Sequence, residues 1–362
     1  MNLLVITQKI DINDDTLGFF HNWIYKFSQK VDKLFVIVLQ KGEYHLPKNV
    51  VVLSLGKERY KDYLPSFLLK TIYLLRFYRY IWQFRKEYDN VFIHMNSVYV
   101  IMGGLFWKIF RKRIGLWYAH IKVSFLTKIS VYFVDFIFSP SKASFKFITP
   151  KLKETGHGID INIFKPSVIR KNQGNRYNLI SVGRISQVKN YDVLIRAVKI
   201  LARQKKFKDR FSVKIIGAPI YQRDYEYLKK LKKKIRYYHL DSYFHWLGSV
   251  PNKNIIKFYR QGDIFICMQC QGGFAKSVLE AMSCGLICIV CSPVYTIDKF
   301  SEELVFQADD PFSLAEKIGN VFNWPKKKLK EYQYLAINYV KDNHNLDTLI
   351  NRILSFYESK YI

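Results

Sequence analysis

Short apolar runs alternate with helix-like stretches along this 362-residue chain, and that rhythm limits its fold more than any other feature. In the first half the runs fall at 3–7, 34–39, 51–55, 91–95, 114–119 and 136–139. Stretches of helical character lie near 17–30, 66–87, 98–111 and 124–133. Continuous apolar runs, in place of strict alternation, are what strands buried on both faces look like, so each half reads as a parallel sheet covered by helices. The second half repeats the rhythm from Tyr177, after a stretch rich in Pro, Gly and polar residues at 149–175 that reads as a linker. No short repeat period and no low-complexity tract interrupts it. The expected fold class is α/β, with two Rossmann-like domains.

The stretch from Gly272 to Cys291 carries the most chemistry. An apolar run at 263–268 leads into the pair Gly272-Gly273, and a helix pattern begins near Ala275. A strand, a glycine turn and a helix start put backbone N–H groups and the positive end of a helix dipole against open space, where an anion can sit. Glu280 follows one turn into the helix, and a carboxylate beside a phosphate site suits the diol of a ribose. The bland alternative is a buried strand-to-helix connection, which any α/β domain can contain.

About ninety residues upstream, Val182-Gly183-Arg184 ends the run at 177–182, Lys189 follows, and Leu194, Ile195, Val198 and Leu201 give helical spacing. Arg184 is thus expected at the carboxyl edge of a strand and Lys189 in the loop before a helix. Ligands bind at this edge in open α/β sheets. A planar fork and a point charge there suit a diphosphate. Solvated surface charge is the competing reading in a chain with 58 Lys and Arg.

These residues carry a resemblance. Val182-Gly183-Arg184, Lys189, Asp192, Leu194 and Ile195, followed by Gly273-Phe274-Ala275, Glu280-Ala281-Met282 and Gly285, resemble the family-4 retaining glycosyltransferases of the GT-B fold. Gly217-Ala218-Pro219, Trp246 to Pro251, Gly158-Ile159-Asp160, Phe164 and Pro166 look like further landmarks of that family, so the likeness spans about 155–325. The first half is similar only in pattern, through Gly18, His94 and His120. The chain also departs from the family. Gly272, with Gln271 beside it, stands where the family has the first of two glutamates, which touches the transferred sugar. Met268-Gln269 replaces Pro-Ser, the N-terminal loop has one glycine, and His157 replaces Asn.

The resemblance implies a nucleotide-sugar donor, transfer to a glycan or lipid-linked acceptor hydroxyl with retention of configuration, and a cleft between the domains. It implies His120, Arg184 and Lys189 as catalytic residues. Gly18, Gly273, Phe274, Ala275, Lys276 and Glu280 are implied as donor-binding, with no metal or other cofactor. Work in cell-surface polysaccharide or glycolipid synthesis follows from the same likeness. The implied domains are 1–165 on the acceptor side, 166–345 on the donor side, and a C-terminal helix in 346–362 returning to the first. A sugar-nucleotide epimerase or hydrolase, or an inactive nucleotide-sugar-binding relative, shares these features.

Charge does not choose a partner. The net +29 is spread, with 25 Lys and Arg against 12 Asp and Glu through Lys165 and 33 against 17 beyond it. Such a field attracts nucleic acid, anionic lipid and nucleotide-sugar alike. Nucleic acid is not expected, because the aromatic residues fall mostly in strand and helix cores. The absence of G-x-G-x-x-G after the first strand argues against a dinucleotide oxidoreductase. The longest charge-free apolar stretch, 98–107, is far short of a membrane span, and the first strand does not read as a signal peptide. The segment 64–86 mixes Phe67, Leu68, Leu75 and Trp82 with Lys70, Arg76, Arg79 and Arg85, and 107–113 repeats the mixture. Such segments can lie in an anionic interface, at the inner face of a membrane, though a covering helix explains them equally well. The lysines at 229–234 surround an apolar stripe and read as a solvated face.

All five cysteines lie between 267 and 291. Two C-x2-C spacings invite a zinc reading, but residues three apart on a strand point to opposite faces. Small buried thiols, left free in a reducing cytoplasm, are the expectation. His120 is expected at the end of the run at 114–119, and His94 is a weaker candidate on the acceptor side.

Overall fold

The structure is a computed structural model that describes residues 1–60, 63–167, 176–270, 275–292, 294 and 297–359. It divides into two compact units: residues 1–160, 251–253 and 344–362, and residues 161–250 and 254–343.

The first unit holds strands β1 (Asn2–Ile10), β2 (Lys33–Lys41), β3 (Val50–Ser54), β4 (Asn90–His94), β5 (Arg113–Trp117), β6 (Phe136–Ser139) and β7 (Leu152–Glu154). They form one parallel sheet in the order β3-β2-β1-β4-β5-β6-β7. Its helices are α1 (Phe19–Ser28), α2 (Lys57–Tyr60), α3 (Ser66–Gln83), α4 (Ser97–Ile109) and α5 (Phe125–Phe133). Side chains alternate between faces along a strand, and the sequence of β1 and β2 sorts accordingly. Leu3, Val5, Leu34 and Val36 join Phe20, Trp23 and Phe27 of α1 in one core. Leu4, Ile6, Phe35 and Ile37 join Phe77 and Ile81 of α3, Tyr99 and Trp107 of α4 and Val131 of α5 in the other.

The second unit holds β8 (Tyr177–Val182), β9 (Phe211–Ile216), β10 (Phe244–Trp246), β11 (Ile264–Cys267) and β12 (Ile287–Val290), parallel in the order β10-β9-β8-β11-β12. Around them lie α6 (Tyr191–Ala202), α7 (Gln222–Tyr237), α8 (Asn252–Gln261), α9 (Lys276–Ser283), α10 (Ser301–Leu304), α11 (Pro311–Phe322) and α12 (Lys326–His344). The last helix, α13 (Leu346–Glu358), packs its Leu346, Leu349, Ile350 and Ile353 into the α1 side of the first unit. This is the two-sheet α/β architecture of the GT-B fold.

Two expectations need correction. The stretch 149–175 is not only a linker. Leu152–Glu154 adds a seventh strand to the first sheet, and Ile159 bridges Asn345 beside the start of α13. Three residues between the turn at Pro150 and Gly156 carry too little periodicity to be seen in sequence. The cysteines are not all free thiols either. Cys270 and Cys291 are disulfide-bonded, while Cys267, Cys284 and Cys288 are buried thiols. Parallel pairing of β11 with β12 sets Cys267 opposite Val290, which brings Cys270 and Cys291 together just past the strand ends. Burial pushes the Cys267 thiol up, and Cys288 well up, from the ordinary value. On α7, Leu231 and Ile235 are buried and most of the lysines at 229–234 are exposed, as a solvated face requires.

Candidate active site

The carboxyl edge of the second sheet is where its strand order turns. Chain order runs outward from β8 through β9 to β10, then returns to the other side at β11, so the crevice of an open α/β sheet falls between the ends of β8 and β11. One contact spans these two ends. Lys189 donates from Nζ to Oε1 of Gln269 at 2.9 Å. Lys189 closes a single 3-10 turn (Gln187–Lys189), and Asn190, left-handed at φ 49°, then turns the chain into α6. The lysine stem folds back over Gly183, where an added Cβ would lie 3.0 Å from its Cε.

Arg184 is turned the other way. Its guanidinium stands over the Tyr221 ring at 5.5 Å and 4.0 Å from the buried carboxylate of Asp224, in the first turn of α7. The Arg184 side chain keeps 40% of its exposure, so its donors are available to a ligand. The turn that carries it depends on Gly217. This residue has φ 143°, and a Cβ there would meet the Gly183 carbonyl oxygen at 2.0 Å, so only glycine lets the ends of β8 and β9 come this close. Gly183 N donates to Ile216 O at 3.0 Å, and the buried Tyr191 hydroxyl donates to Gly183 O at 3.4 Å.

Glu280 forms a third group on α9. It is 4% exposed, and its carboxylate is 2.8 Å from Lys276 Nζ and accepts from the Tyr259 hydroxyl of α8 at 2.9 Å. Burial and this carboxylate hold the Tyr259 hydroxyl well above its ordinary pKa. A carboxylate offers about four acceptor positions, so two protein donors leave capacity for a diol. Lys276 is the first residue of α9, its ammonium 5.9 Å over the Phe164 ring, and the N-cap Ala275 supplies no side-chain cap.

Arg184, Lys189, Ala275, Lys276 and Glu280 therefore all lie at strand ends or the helix start on the carboxyl side of one sheet. Among the described contacts, Arg184 meets Asp224, Lys189 meets Gln269 and Lys276 meets Glu280. Gly273 and Phe274, like Gln271 and Gly272, lie outside the described residues. Sequence reasoning missed the partners Gln269, Asp224, Tyr221 and Tyr259. Gln269 carried a signal, as a replacement in the pattern just before the glycine turn; the others are set by packing alone. Asp192 has a structural part, bridging Arg196 at 2.8 Å and Lys234 of α7. Among the described residues no cluster of three or more His, Cys, Asp or Glu is placed to hold a metal ion.

The first unit holds the other candidates at the carboxyl edge of its own sheet. Gly18 caps α1, and a Cβ there would be 2.4 Å from Asp14 O. The loop before it is fastened by Lys9 to Asp11 at 3.1 Å and Asp14 at 2.6 Å. His120 lies past the end of β5, which stops at Trp117, and is exposed; its Nδ1 accepts from Lys122 N at 3.3 Å. His94 is buried in the core, stacked on Phe20 at 4.0 Å with Thr7 Oγ1 3.3 Å from its Nδ1.

Comparison with known proteins fits this arrangement. Residues 165–338 match the glycosyl transferases group 1 family. Mannosylfructose-phosphate synthase of Agrobacterium fabrum is 25% identical over 188 residues, covering 49% of this chain and only 40% of that relative's length. Among solved structures, HepE of Anabaena in complex with UDP and glucose superposes with a TM-score of 0.75 at 17% identity, over 99% of this chain and 100% of that one. Sucrose-phosphate synthase of Thermosynechococcus elongatus gives a TM-score of 0.78 at 13% identity, over 99% and 98%. At such identities the structural likeness speaks for the fold. The family match falls mainly in the second unit, and the structural likeness sets it in this fold.

Proposed function

We propose that the protein transfers a sugar from a nucleoside-diphosphate sugar to an acceptor hydroxyl, with retention of configuration. The observation that carries this reading is the pair of cations at the turning point of the second sheet, Lys189 at the β8–β11 crevice and the half-exposed Arg184 beside it. As the bond between the anomeric carbon and the diphosphate oxygen breaks, negative charge collects on the leaving phosphates. Arg184 and Lys189, aided by the start of α9, stabilise that charge without reorganising. The acceptor oxygen forms the new bond to the anomeric carbon, and its proton passes to the leaving phosphate. Glu280 accepts from the ribose diol while keeping Tyr259 and Lys276 as donors.

In this reading Gly18 and His120 also serve the donor, as the family likeness implies, and the cations needed are the chain's own, with no metal called for. UDP and glucose, bound by the Anabaena neighbour, are the first donor components to try. A screen of nucleotide-sugars for thermal stabilisation, followed by turnover with and without acceptor, tests the proposal. Stabilisation by one donor class with acceptor-dependent release of the nucleotide supports transfer. Equal release without acceptor would mark a hydrolase or epimerase, and binding without turnover an inactive relative.

A further inference from the structure

The side of the first sheet covered by α3, α4 and α5 is basic and carries exposed apolar side chains. These three helices contain no Asp or Glu, and carry Lys70, Arg76, Arg79, Lys108 and Lys128. Large apolar side chains on them stand in solvent, among them Phe67 at 67%, Leu75 at 65%, Leu105 at 65% and Ile109 at 68% exposure. Among the described residues no helix is long and apolar enough to cross a membrane.

Between α3 and α4 lies an apolar cavity of about 520 Å³, within the range of small-ligand sites. Leu39, Leu55, Leu74, Val98, Tyr99 and Met102 line it, with Lys70 on its wall. The seam between the two helices is shut at its far end. There the Tyr78 hydroxyl donates to Met102 O at 2.9 Å, and Trp82 lies against Phe106 and Phe110. At the near end the lining reaches Gln8 and Asn96, just where β1 and β4 run out at the carboxyl edge of the sheet. Lys70 is exposed and forms no ion pair among the described residues.

We infer that this seam holds the hydrocarbon chain of an anionic, phosphate-bearing lipid, and that this lipid is the acceptor. The inference rests on the transfer reading above for the word acceptor, but not for the site. An apolar slot closed at one end takes a chain and not a sugar. A cation on its wall, on helices that carry no carboxylate of their own, selects a negative headgroup. The exposed apolar and basic residues on the same helices suit a surface that meets an anionic bilayer, from which such a lipid would be drawn.

Dodecyl phosphate, below its micellar concentration, is the probe, with binding followed by calorimetry and UDP binding measured beside it on the same samples. Wild type should bind dodecyl phosphate saturably, one per chain. Leu74→Asp and the space-filling Thr71→Trp, at a further residue of the cavity wall, should each weaken this at least about tenfold. Lys70→Ala should weaken dodecyl phosphate by roughly threefold to tenfold and leave dodecyl maltoside unaffected. All variants should keep the wild-type affinity for UDP, which also shows that they fold. No binding of monomeric dodecyl phosphate by wild type, or equal binding by Leu74→Asp and Thr71→Trp, would overturn the inference. Absence of binding of any nucleoside diphosphate by wild type, with the seam results intact, would instead remove the transfer reading and leave the lipid site standing.

Discussion

The carboxyl edges of the two sheets are built from the same topology and opposite chemistry. In the second unit the edge is a set of buried or half-buried charges held in fixed contacts: Lys189 on Gln269, Arg184 beside Asp224, Glu280 between Lys276 and Tyr259. In the first unit the edge joins an ion-paired loop, Lys9 with Asp11 and Asp14, to a mainly apolar cavity. His94 is stacked on a phenylalanine, His120 is solvated, and Leu39, Leu55, Leu74, Val98 and Met102 make most of the cavity wall. One Rossmann-like scaffold can thus present a polar, preorganised anion site or a greasy slot, depending on the few residues just past each strand. Fold alone assigns neither; the residues at the edge do.

The contrast can be broken most forcefully at Arg184. Arg184→Ala should lower turnover by about 10²- to 10³-fold, because a lost charge-stabilising donor is felt in the transition state. Steady-state rates on a variant with unchanged melting temperature check this, and near-normal turnover would remove the second edge from the chemistry. The next effect belongs to the first unit and concerns stability. His344 Nδ1 accepts from His157 N at 3.0 Å, joining the segment before Ile159 to the start of α13. Burial, with Arg352 nearby, lowers its pKa from 6.5 to about 4. The folded state then binds a proton less readily than the unfolded one. Stability is complete above pH 6.5 and falls as the pH drops towards 4, by about 3 kcal/mol for this residue. Urea unfolding at pH 7 and pH 4.5 should show that loss in wild type and a flatter profile in His344→Gln. A smaller effect is expected at Glu280. Glu280→Ala should weaken nucleoside diphosphate and nucleotide-sugar alike by ~1.5–3 kcal/mol. Unchanged affinity in a folded variant would make Glu280 a structural partner of Tyr259 and Lys276 only.

Much of the architecture is legible in the residues because strands buried on both faces announce themselves as continuous apolar runs. The runs at 3–7, 34–39 and 177–182 mark β1, β2 and β8 to within a few residues. The short β7 is not legible, since three residues carry no period. The placement of Arg184 and Lys189 at a sheet edge could be read from strand-loop-helix order. Their partners could not, because Gln269, Asp224 and Tyr259 reach them across distances set by sheet order and helix packing. The same holds for the Cys270–Cys291 disulfide, which needs the β11–β12 register. The cavity between α3 and α4 was hidden for another reason. Its cations fall on several helical faces, so periodicity shows no amphipathic stripe, and only the packing of two helices reveals a slot.

Hydrogen exchange with and without saturating UDP tests the central contrast most directly. Slowed exchange is expected at 183–190, 217–224 and 275–280 of the second unit, with 94–102 of the first unit unaffected by UDP and slowed instead by dodecyl phosphate. Protection by UDP at 94–102, with 183–190 unchanged, would contradict it.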